Sequence, residues 1–331
     1  MTPIELPKST QPILVVVIDT EEEFDWNGEF SRSATDVSAI SDIDRLQSVF
    51  DSFGIRPVYV MDYPMATTSQ SIDVLGELHS SNRAELGVHL HTWVNPPFDE
   101  EVSRHNSYQG NLPRETERRK LATLCDAFSQ AFSMPARVHK AGRYGMGPHT
   151  LDLLHELGVH VDFSPAPAFD YRDDGGPNYV TRGAESFIAD TGIVTVPTTG
   201  SFMGPLRRCG PSIYASNFQR KRAGHITSRI LSKARLLERV MLSPEGHSLD
   251  KLIRLTQHLV DAGHRIITFS LHSSSIRPGA TTYVETAQDL ENFIVKSRQY
   301  FEFFFGSLNG VNMTASEVYD FVHKTRTSGN Q

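Results

Sequence analysis

The first strong pattern in the chain is an uninterrupted apolar run at positions 13–18, Ile-Leu-Val-Val-Val-Ile. A continuous, β-branched run of this length is typical of a strand buried on both faces of a parallel sheet. Acidic residues follow directly, beginning with Asp19. Because α/β folds build their sites where strands leave the sheet, Asp19 is a candidate functional residue. Glu22 and Glu23, further along, are expected to lie in a solvated acidic loop.

Further along the chain, short apolar runs alternate with segments of helical periodicity, which is the pattern of βα units. Strands are predicted at 57–61, 86–91, 138–140, 159–163, 192–197 and 265–271. Helices are predicted near 43–53, 72–78, 114–132, 151–157, 248–260 and 287–305. Thr314-Ala-Ser-Glu317 has the sequence of a capping box that opens a last helix.

This alternation predicts an α/β fold, a distorted or incomplete (β/α) barrel with about seven parallel strands. An open, doubly wound sheet is the alternative, but no Gly-rich phosphate loop follows the first strand to support it. We expect one domain covering residues 1–331. Residues 200–247 are rich in Gly, Pro and basic residues and are expected to form an irregular insertion or long crossover. One helix is predicted there, near Ile226 to Met241.

The bulk composition narrows the function. The chain of 331 residues carries a net charge of −7, which argues against a nucleic-acid-binding surface. Two cysteines, Cys125 and Cys209, provide neither a disulfide framework nor a thiol metal site. The first apolar run is too short for a signal peptide or a membrane span. A cytoplasmic protein without stable membrane insertion is therefore expected, and its oligomeric state is not predicted.

Chemically interesting side chains lie at several predicted strand ends, which converge on one mouth in a barrel. His89 and His91 are two residues apart on a strand, so both rings point to the same face. With a carboxylate from the end of the first strand, where Asp19 and Glu21 lie, they make a three-ligand site with open positions for water. That composition suits a catalytic Zn²⁺ or a similar first-row ion. The alternative is one histidine packed in the core and one at the surface.

Hydrolysis of an amide or ester also requires a base for the attacking water and an acid for the leaving group. Asp19 is a candidate base, and His272, at the end of the last strand, is a candidate acid. Arg143 could orient or stabilise an acidic partner, although a surface salt bridge explains it equally well. For His272 a capping or packing role is the alternative.

These residues, in this order, resemble the motifs of the polysaccharide deacetylase superfamily, carbohydrate esterase family 4, and most closely its WalW-type branch. The resemblance spans roughly residues 13–275, and five short motifs in the right order make it fairly specific. The matching segments are Ile18-Asp19-Thr20-Glu21, Leu86-Gly-Val-His89-Leu-His91-Thr-Trp93, Arg143-Tyr144-Gly145, Asp162-Phe163-Ser164 and Leu271-His272.

The resemblance implies a distorted (β/α) barrel, a bound metal that is usually Zn²⁺, and removal of an N-acetyl group from an amino sugar. It implies that Asp19 is the base, that His272 is the acid and that Arg143 tunes the base. Asp162 joins the catalytic set as the fourth motif. The implied metal ligands are Glu21, His89 and His91. The candidates for contacting a carbohydrate substrate are Trp26, Trp93, Tyr144 and Leu271.

One departure from the family pattern concerns the metal ligands. The family spaces its two histidines four apart, and Trp93 stands four residues after His89. Either His91 takes the place of the second histidine or one histidine alone binds. The expected substrate is a polysaccharide, an oligosaccharide or a glycolipid intermediate. The alternatives are a catalytically silent carbohydrate-binding relative and an amidohydrolase acting on a non-sugar amide.

Overall fold

The computed structural model describes residues 1–26, 28–220 and 229–329, with the backbone alone for 216–220 and 326–329. The strands in these ranges are β1 Thr2–Pro3, β2 Ile13–Thr20, β3 Val58–Met61, β4 Glu85–Leu90, β5 Val138–Ala141, β6 Val161–Asp162, β7 Phe187–Ile188, β8 Val194–Thr195, β9 Gly200–Met203, β10 Glu238–Met241, β11 Ile266–His272 and β12 Val311–Asn312. The α-helices are α1 Asp44–Ser52, α2 Tyr63–Thr67, α3 Ser69–Ser80, α4 Arg114–Phe132, α5 Thr150–Glu156, α6 Gly210–Arg220, α7 Leu249–Ala262, α8 Ala287–Phe301 and α9 Ala315–Gly329.

The main sheet is a curled, mostly parallel half-barrel. In the described residues, seven neighbouring strands run parallel in the order β8-β6-β5-β4-β3-β2-β11. β7 and β1 extend the β8 edge in antiparallel orientation, and β12 lies parallel to the start of β2. No ladder within the described chain joins β8 to β11, so the barrel is open. The incomplete (β/α) barrel that the sequence predicts is therefore confirmed.

Side chains on the two faces of the sheet enter two different apolar clusters. Val15 and Val17 of β2 belong to the cluster inside the half-barrel, whereas Val16 and Ile18 face the surrounding helices. Every residue of β2 is buried, which explains its uninterrupted apolar sequence. Because side chains alternate along a strand, Asp19 shares the interior face with Val17.

The helices cover the outer face and one end of the half-barrel. α4 begins and ends where the sequence predicts, and Thr314 N donates to Glu317 Oε2 at 2.9 Å in the predicted capping box. From α9, Val318 and Val322 enter the interior cluster. None of the helices in the described part of the chain combines the length and the apolar character that a bilayer crossing requires.

The segment 200–247 contains an antiparallel pair, β9 with β10, beside the open edge of the barrel. Ser270 N of β11 donates to Leu242 O, and Thr268 N donates to Thr199 Oγ1, so the pair is anchored to β11. The helix predicted near Ile226 to Met241 is wrong at its end, because Glu238–Met241 is strand β10; residues 226–228 lie outside the described chain. Apolar pairs at 236–237 and 240–241 imitate helical spacing, and strand pairing overrides that periodicity.

Candidate active site

The carboxylate at the end of β2 has a buried lysine as its counter-ion. Lys140 Nζ, from β5, donates to both oxygens of Asp19 at 2.7 Å and to Ser270 Oγ at 2.9 Å. Burial alone would raise the pKa of Asp19, but Lys140, with His89 and His272, holds that pKa below its usual value. Asp19 is therefore an ionised carboxylate at neutral pH. Lys140 is not among the residues predicted from the sequence, although a lysine inside an apolar strand is unusual and indicates a buried partner.

Glu21, His89 and His91 meet beside Asp19, as the strand pattern predicts. The Nε2 atoms of His89 and His91 lie 3.5 and 3.4 Å from Glu21 Oε2, and all three side chains are buried. A hydrogen bond at Nδ1 fixes the orientation of each ring. His89 Nδ1 donates to Lys140 O at 3.0 Å, and His91 Nδ1 lies 2.7 Å from Glu22 Oε2. Outer groups of this kind fix the orientation of metal-binding imidazoles.

This cluster fits a divalent cation. The three ligand atoms lie within 4.8 Å of one another. Burial lowers the pKa of both histidines, so the rings are neutral and their Nε2 lone pairs are available. Burial also raises the pKa of Glu21, and Glu21 Oε1 has no hydrogen-bond partner among the described residues. An orphaned buried oxygen beside two neutral imidazoles is what a three-ligand Zn²⁺ site would require.

Glu22 and Trp93 lie behind His91, in places that differ from those predicted from the sequence. Glu22 was expected in a solvated loop, but it is fully buried and burial raises its pKa to about 8. Its Oε1 accepts from Trp93 Nε1 at 2.7 Å, and its backbone N–H donates to Asp62. Trp93, expected to contact substrate, is buried and stacks on His91 with ring centroids 4.2 Å apart. Both residues support His91 and do not line the cavity.

Glu23 also departs from the expected solvated loop. Its Oε1 accepts from Ala39 N at 2.7 Å and from Ser38 Oγ at 2.9 Å, and it lies 3.4 Å from Arg277 Nη1. Glu23 is therefore half-buried and joins the loop after β2 to the 3₁₀ turn Ser38–Asp42. This attachment holds the loop in place over the cavity.

On the other side of Asp19, a histidine is held by a glutamate. His272 is in register with Asp19 on the neighbouring strand, and its Nε2 lies 3.8 Å from Asp19 Oδ2. Its Nδ1 lies 2.8 Å from Glu245 Oε2, and Glu245 also accepts from the backbone N–H of His272. Burial would lower the pKa of His272, but Glu245, Glu21 and Asp19 together raise it to about 10. The ring is therefore protonated at neutral pH.

Glu245 was not found by the sequence analysis. It comes from the segment 200–247, after β10, and is buried with both oxygens occupied. The Pro-Glu-Gly sequence around it reads as a turn, and nothing in its periodicity points to a site.

Arg143 does not contact Asp19, where the resemblance places it. Its guanidinium bonds to Asp174 and Ser107 and lies over the Tyr108 ring, 4.2 Å from the centroid. Arg143 and Tyr144 both have positive φ, at 55° and 59°, in a turn after β5. The cation beside Asp19 is therefore Lys140 and not Arg143, which lines the cavity further out.

Asp162 and Leu271 lie outside the cavity because their side chains point to the other face of their strands. Asp162 is in register with His139, and its Oδ1 is hydrogen-bonded to His139 Nδ1 at 2.8 Å. His139 precedes Lys140 on β5, so His139 and Asp162 face away from the half-barrel interior. Leu271 precedes His272 and packs in the cluster on the helix side. Neither residue lines the cavity, in contrast to the roles expected from the motifs.

The site opens into a cavity of about 400 Å³. Asp19, Glu21, His89, His91 and His272 lie in its wall. Trp26 and Tyr144, both predicted substrate contacts, line it, and the Trp26 ring meets His272 edge-on with centroids 4.8 Å apart. The aromatic residues of the wall are Phe24, Trp26, Phe30, Tyr108, Tyr144, Phe169, Tyr171 and Tyr283.

Comparison with known proteins identifies the fold. No protein-family model and no curated protein sequence matches the chain. Among solved structures, a Mycobacterium smegmatis protein assigned as a polysaccharide deacetylase aligns with a TM-score of 0.53 and 16% identity, covering 98% of this chain and 95% of that chain.

Two further structures share the fold. Puue allantoinase aligns with a TM-score of 0.51 and 14% identity, over 95% of this chain and 90% of that chain. The 4-alpha-glucanotransferase of Thermococcus litoralis aligns with a TM-score of 0.51 and 11% identity, over 94% of this chain and 40% of that chain. The fold is thus a half-barrel similar to that of the protein assigned as a deacetylase, and it also occurs in enzymes of other names.

Proposed function

We propose that this chain is a metal-dependent hydrolase of the polysaccharide deacetylase superfamily that removes an N-acetyl group from an amino-sugar-containing substrate. One observation carries the proposal: three side chains suited to bind a divalent cation, an ionised carboxylate and a protonated histidine all face the same cavity. Glu21, His89 and His91 form the cluster, and Asp19 and His272 lie beside it. Metal-assisted amide hydrolysis requires these three functions within reach of one substrate bond.

Glu21, His89 and His91 would hold the cation, for which Zn²⁺ is the best candidate given two nitrogen ligands and one oxygen ligand. When bound, it supplies Lewis acidity toward the acetyl carbonyl and the attacking water. Three protein ligands leave open coordination positions for these groups. His91 would take the place of the family's second histidine, supported from behind by Glu22 and Trp93.

Asp19 acts as the general base. It accepts a proton from the attacking water while the water oxygen bonds to the acetyl carbon. Each carboxylate oxygen has more than one lone pair, so accepting from Lys140 leaves capacity for that proton. Lys140 is a positioning residue, because it fixes the carboxylate and keeps it ionised.

His272 acts as the general acid. Its Nε2 gives a proton to the amine nitrogen as the carbon–nitrogen bond breaks, which releases acetate and a free amino sugar. An amine is a poor leaving group unless it is protonated, so an amide substrate depends strongly on this step. Glu245, bonded to Nδ1, fixes the ring with Nε2 toward Asp19 and favours its charged form.

The cavity favours a small substrate unit. A volume of about 400 Å³ walled by aromatic rings suits one or two sugar residues at the end of a chain. Aromatic faces such as Tyr144 and Tyr171, which stack with centroids 5.4 Å apart, can pack against the apolar face of a sugar ring. A glycolipid or short oligosaccharide carrying a terminal N-acetylated sugar is therefore the substrate class we propose.

A non-sugar amide is the second candidate, because an allantoinase shares the fold to a similar degree and an aromatic cavity also accepts non-sugar rings. Acetate release separates the two candidates. Purified protein supplied with Zn²⁺ should release acetate from N-acetylglucosamine-bearing oligosaccharides or glycolipids. Release of a different product from non-sugar amides, with no acetate from any N-acetylated sugar, would favour the second candidate.

Asp19→Asn tests the mechanism directly. It should keep its fold and its zinc but lose roughly 10²- to 10⁴-fold in turnover, since the amide cannot accept the proton of water. The exposed Asp126→Asn on α4 is a matched control and should keep full activity. Near-normal acetate release by Asp19→Asn would contradict the proposed base. A wild-type protein that binds no zinc would indicate a silent, carbohydrate-binding relative.

A further inference from the structure

One stretch of the chain has a charge opposite to that of the whole protein. Between Leu206 and Leu237 the sequence contains eight lysines and arginines and no acidic residue, although the net charge of the chain is −7. The side chains of five of these basic residues are described, and all five are exposed. They are Arg207, Arg208, Arg229, Lys233 and Arg235. The stretch belongs to the segment 200–247, and none of its described residues lines the cavity of the site proposed above.

Exposed aliphatic side chains lie among these charges. Ile230 is 62% exposed, Leu236 41% and Leu206 37%. The backbone N–H of Leu206 donates to Leu236 O at 2.9 Å, so residues 206–208 and 229–236 lie side by side. We call the exposed basic residues and the exposed leucine and isoleucine residues of these two stretches the basic patch. Its members are Leu206, Arg207, Arg208, Arg229, Ile230, Lys233, Arg235 and Leu236.

We propose that the basic patch docks the protein onto the surface of an anionic lipid bilayer. Lysine and arginine attract the charged headgroups, and exposed aliphatic side chains enter the boundary between headgroups and acyl chains. A single exposed apolar residue is ordinary on a protein surface, but three that are interleaved with five exposed cations are not. Within the described part of the chain, Arg235 is the one patch cation with an ion-pair partner, Asp250 at 3.3 Å, and both side chains are largely exposed.

The chemistry of the patch favours lipid over nucleic acid. Surfaces that bind single-stranded nucleic acid combine basic groups with exposed aromatic rings for base stacking, and the basic patch contains no aromatic residue. Aliphatic side chains gain nothing from a phosphate backbone, whereas a bilayer accepts them. Charge complementarity also disfavours a second copy, because the patch would have to pair with another basic patch in a symmetric dimer.

The patch lies close to the cavity along one strand. Leu237 is followed by β10, which runs from Glu238 to Met241, and Met241 lines the cavity. Four strand residues span roughly 10 Å, so docking would hold this wall of the cavity near the membrane surface. This inference goes beyond the proposed hydrolase activity and does not depend on it.

Cosedimentation of the full chain with vesicles tests the inference. Vesicles of phosphatidylcholine alone are compared with an equimolar mixture of phosphatidylcholine and phosphatidylglycerol, at low and high salt. The wild type should sediment with the anionic vesicles at low salt and be released at high salt. Because each basic side chain near an anionic surface contributes about fivefold to binding, Arg208→Glu with Lys233→Glu should weaken binding by more than about tenfold.

The matched control reverses two charges elsewhere. Arg45→Glu with Arg298→Glu changes the net charge equally, on the exposed faces of α1 and α8, and should bind the vesicles like the wild type. Ile230→Ser should weaken binding while leaving its salt dependence unchanged. Equal binding to both vesicle types, no binding by the wild type, or equal losses in the two double variants would overturn the proposal. Binding of an oligonucleotide but of neither vesicle type would overturn it as well.

Discussion

Lys140→Met removes the cation that opposes the buried charge of Asp19. Both side chains are almost inaccessible to solvent, and Lys140 Nζ lies 2.7 Å from each carboxylate oxygen. Removing one partner of a buried ion pair leaves an uncompensated charge, which costs about 3–5 kcal/mol of unfolding free energy. A domain near the middle of the ordinary stability range, about 10 kcal/mol, keeps a positive free energy of unfolding after that loss, and the variant is then expected to fold.

The substitution should also shift the pH dependence of catalysis. Without Lys140, burial raises the pKa of Asp19 against weaker opposition, so a larger share of the carboxyl groups is protonated at any given pH. A base is active only when deprotonated, and activity is lost as the pH falls through its pKa. The acid limb of the pH profile of kcat/KM should therefore move to higher pH in Lys140→Met, with zinc content unchanged.

Two further variants test whether the Asp19–Lys140 ion pair causes these effects. Asp19→Asn with Lys140→Met removes both charges and should be more stable in urea than Lys140→Met alone. Lys120→Met removes another buried lysine, which bonds to three backbone carbonyl groups and lies 3.0 Å from Glu100, away from the cavity. It should lose stability without moving the acid limb. A double variant no more stable than Lys140→Met, together with an unmoved acid limb, would refute the pairing argument.

Three other predictions test the remaining parts of the site. His89→Ala should lose most of its zinc in elemental analysis, and a full equivalent of zinc in that variant would exclude His89 as a ligand. Glu245→Gln should lower the pKa of His272 from about 10, so the alkaline limb of amide hydrolysis moves to lower pH; an unchanged limb would contradict the pairing. His272→Ala should lose activity steeply on an N-acetylated sugar and far less on an activated aryl acetate, whose leaving group needs no proton. Equal losses on both substrates would assign His272 to binding.

The sequence predicts the strand framework well because its apolar runs have a physical cause. β2 is buried on both faces, so the run at 13–18 is uninterrupted and its end is unmistakable. The same parity argument brings His89 and His91 together beside Glu21. The sequence does not reveal which face of each strand is interior, so it could not exclude Asp162 and Leu271, which the motif resemblance had suggested. Knowing that Val138 faces inward would have identified Lys140 instead.

Groups delivered by turns are harder to anticipate. Glu245 is brought to His272 by a segment without periodicity, and the positive φ at Arg143 accompanies a side chain that lies beside Asp174 rather than Asp19. Neither position can be recognised from the neighbouring sequence, because each depends on contacts between residues that are far apart in the chain. Similarly, Glu22 looks like one member of a surface acidic run until Trp93 and His91 enclose it.

The pairing of β2 with β11 places Asp19 and His272 on one rung of the ladder. Adjacent strands are held about 4.8 Å apart by backbone hydrogen bonds, so the separation of these two side chains depends on the sheet and not on any loop. The cavity wall, by contrast, is built largely from loops such as those that carry Trp26, Tyr171 and Tyr283. Substitutions in those loops can therefore change which substrate is accepted while the reacting pair keeps its spacing, so the two properties can evolve separately.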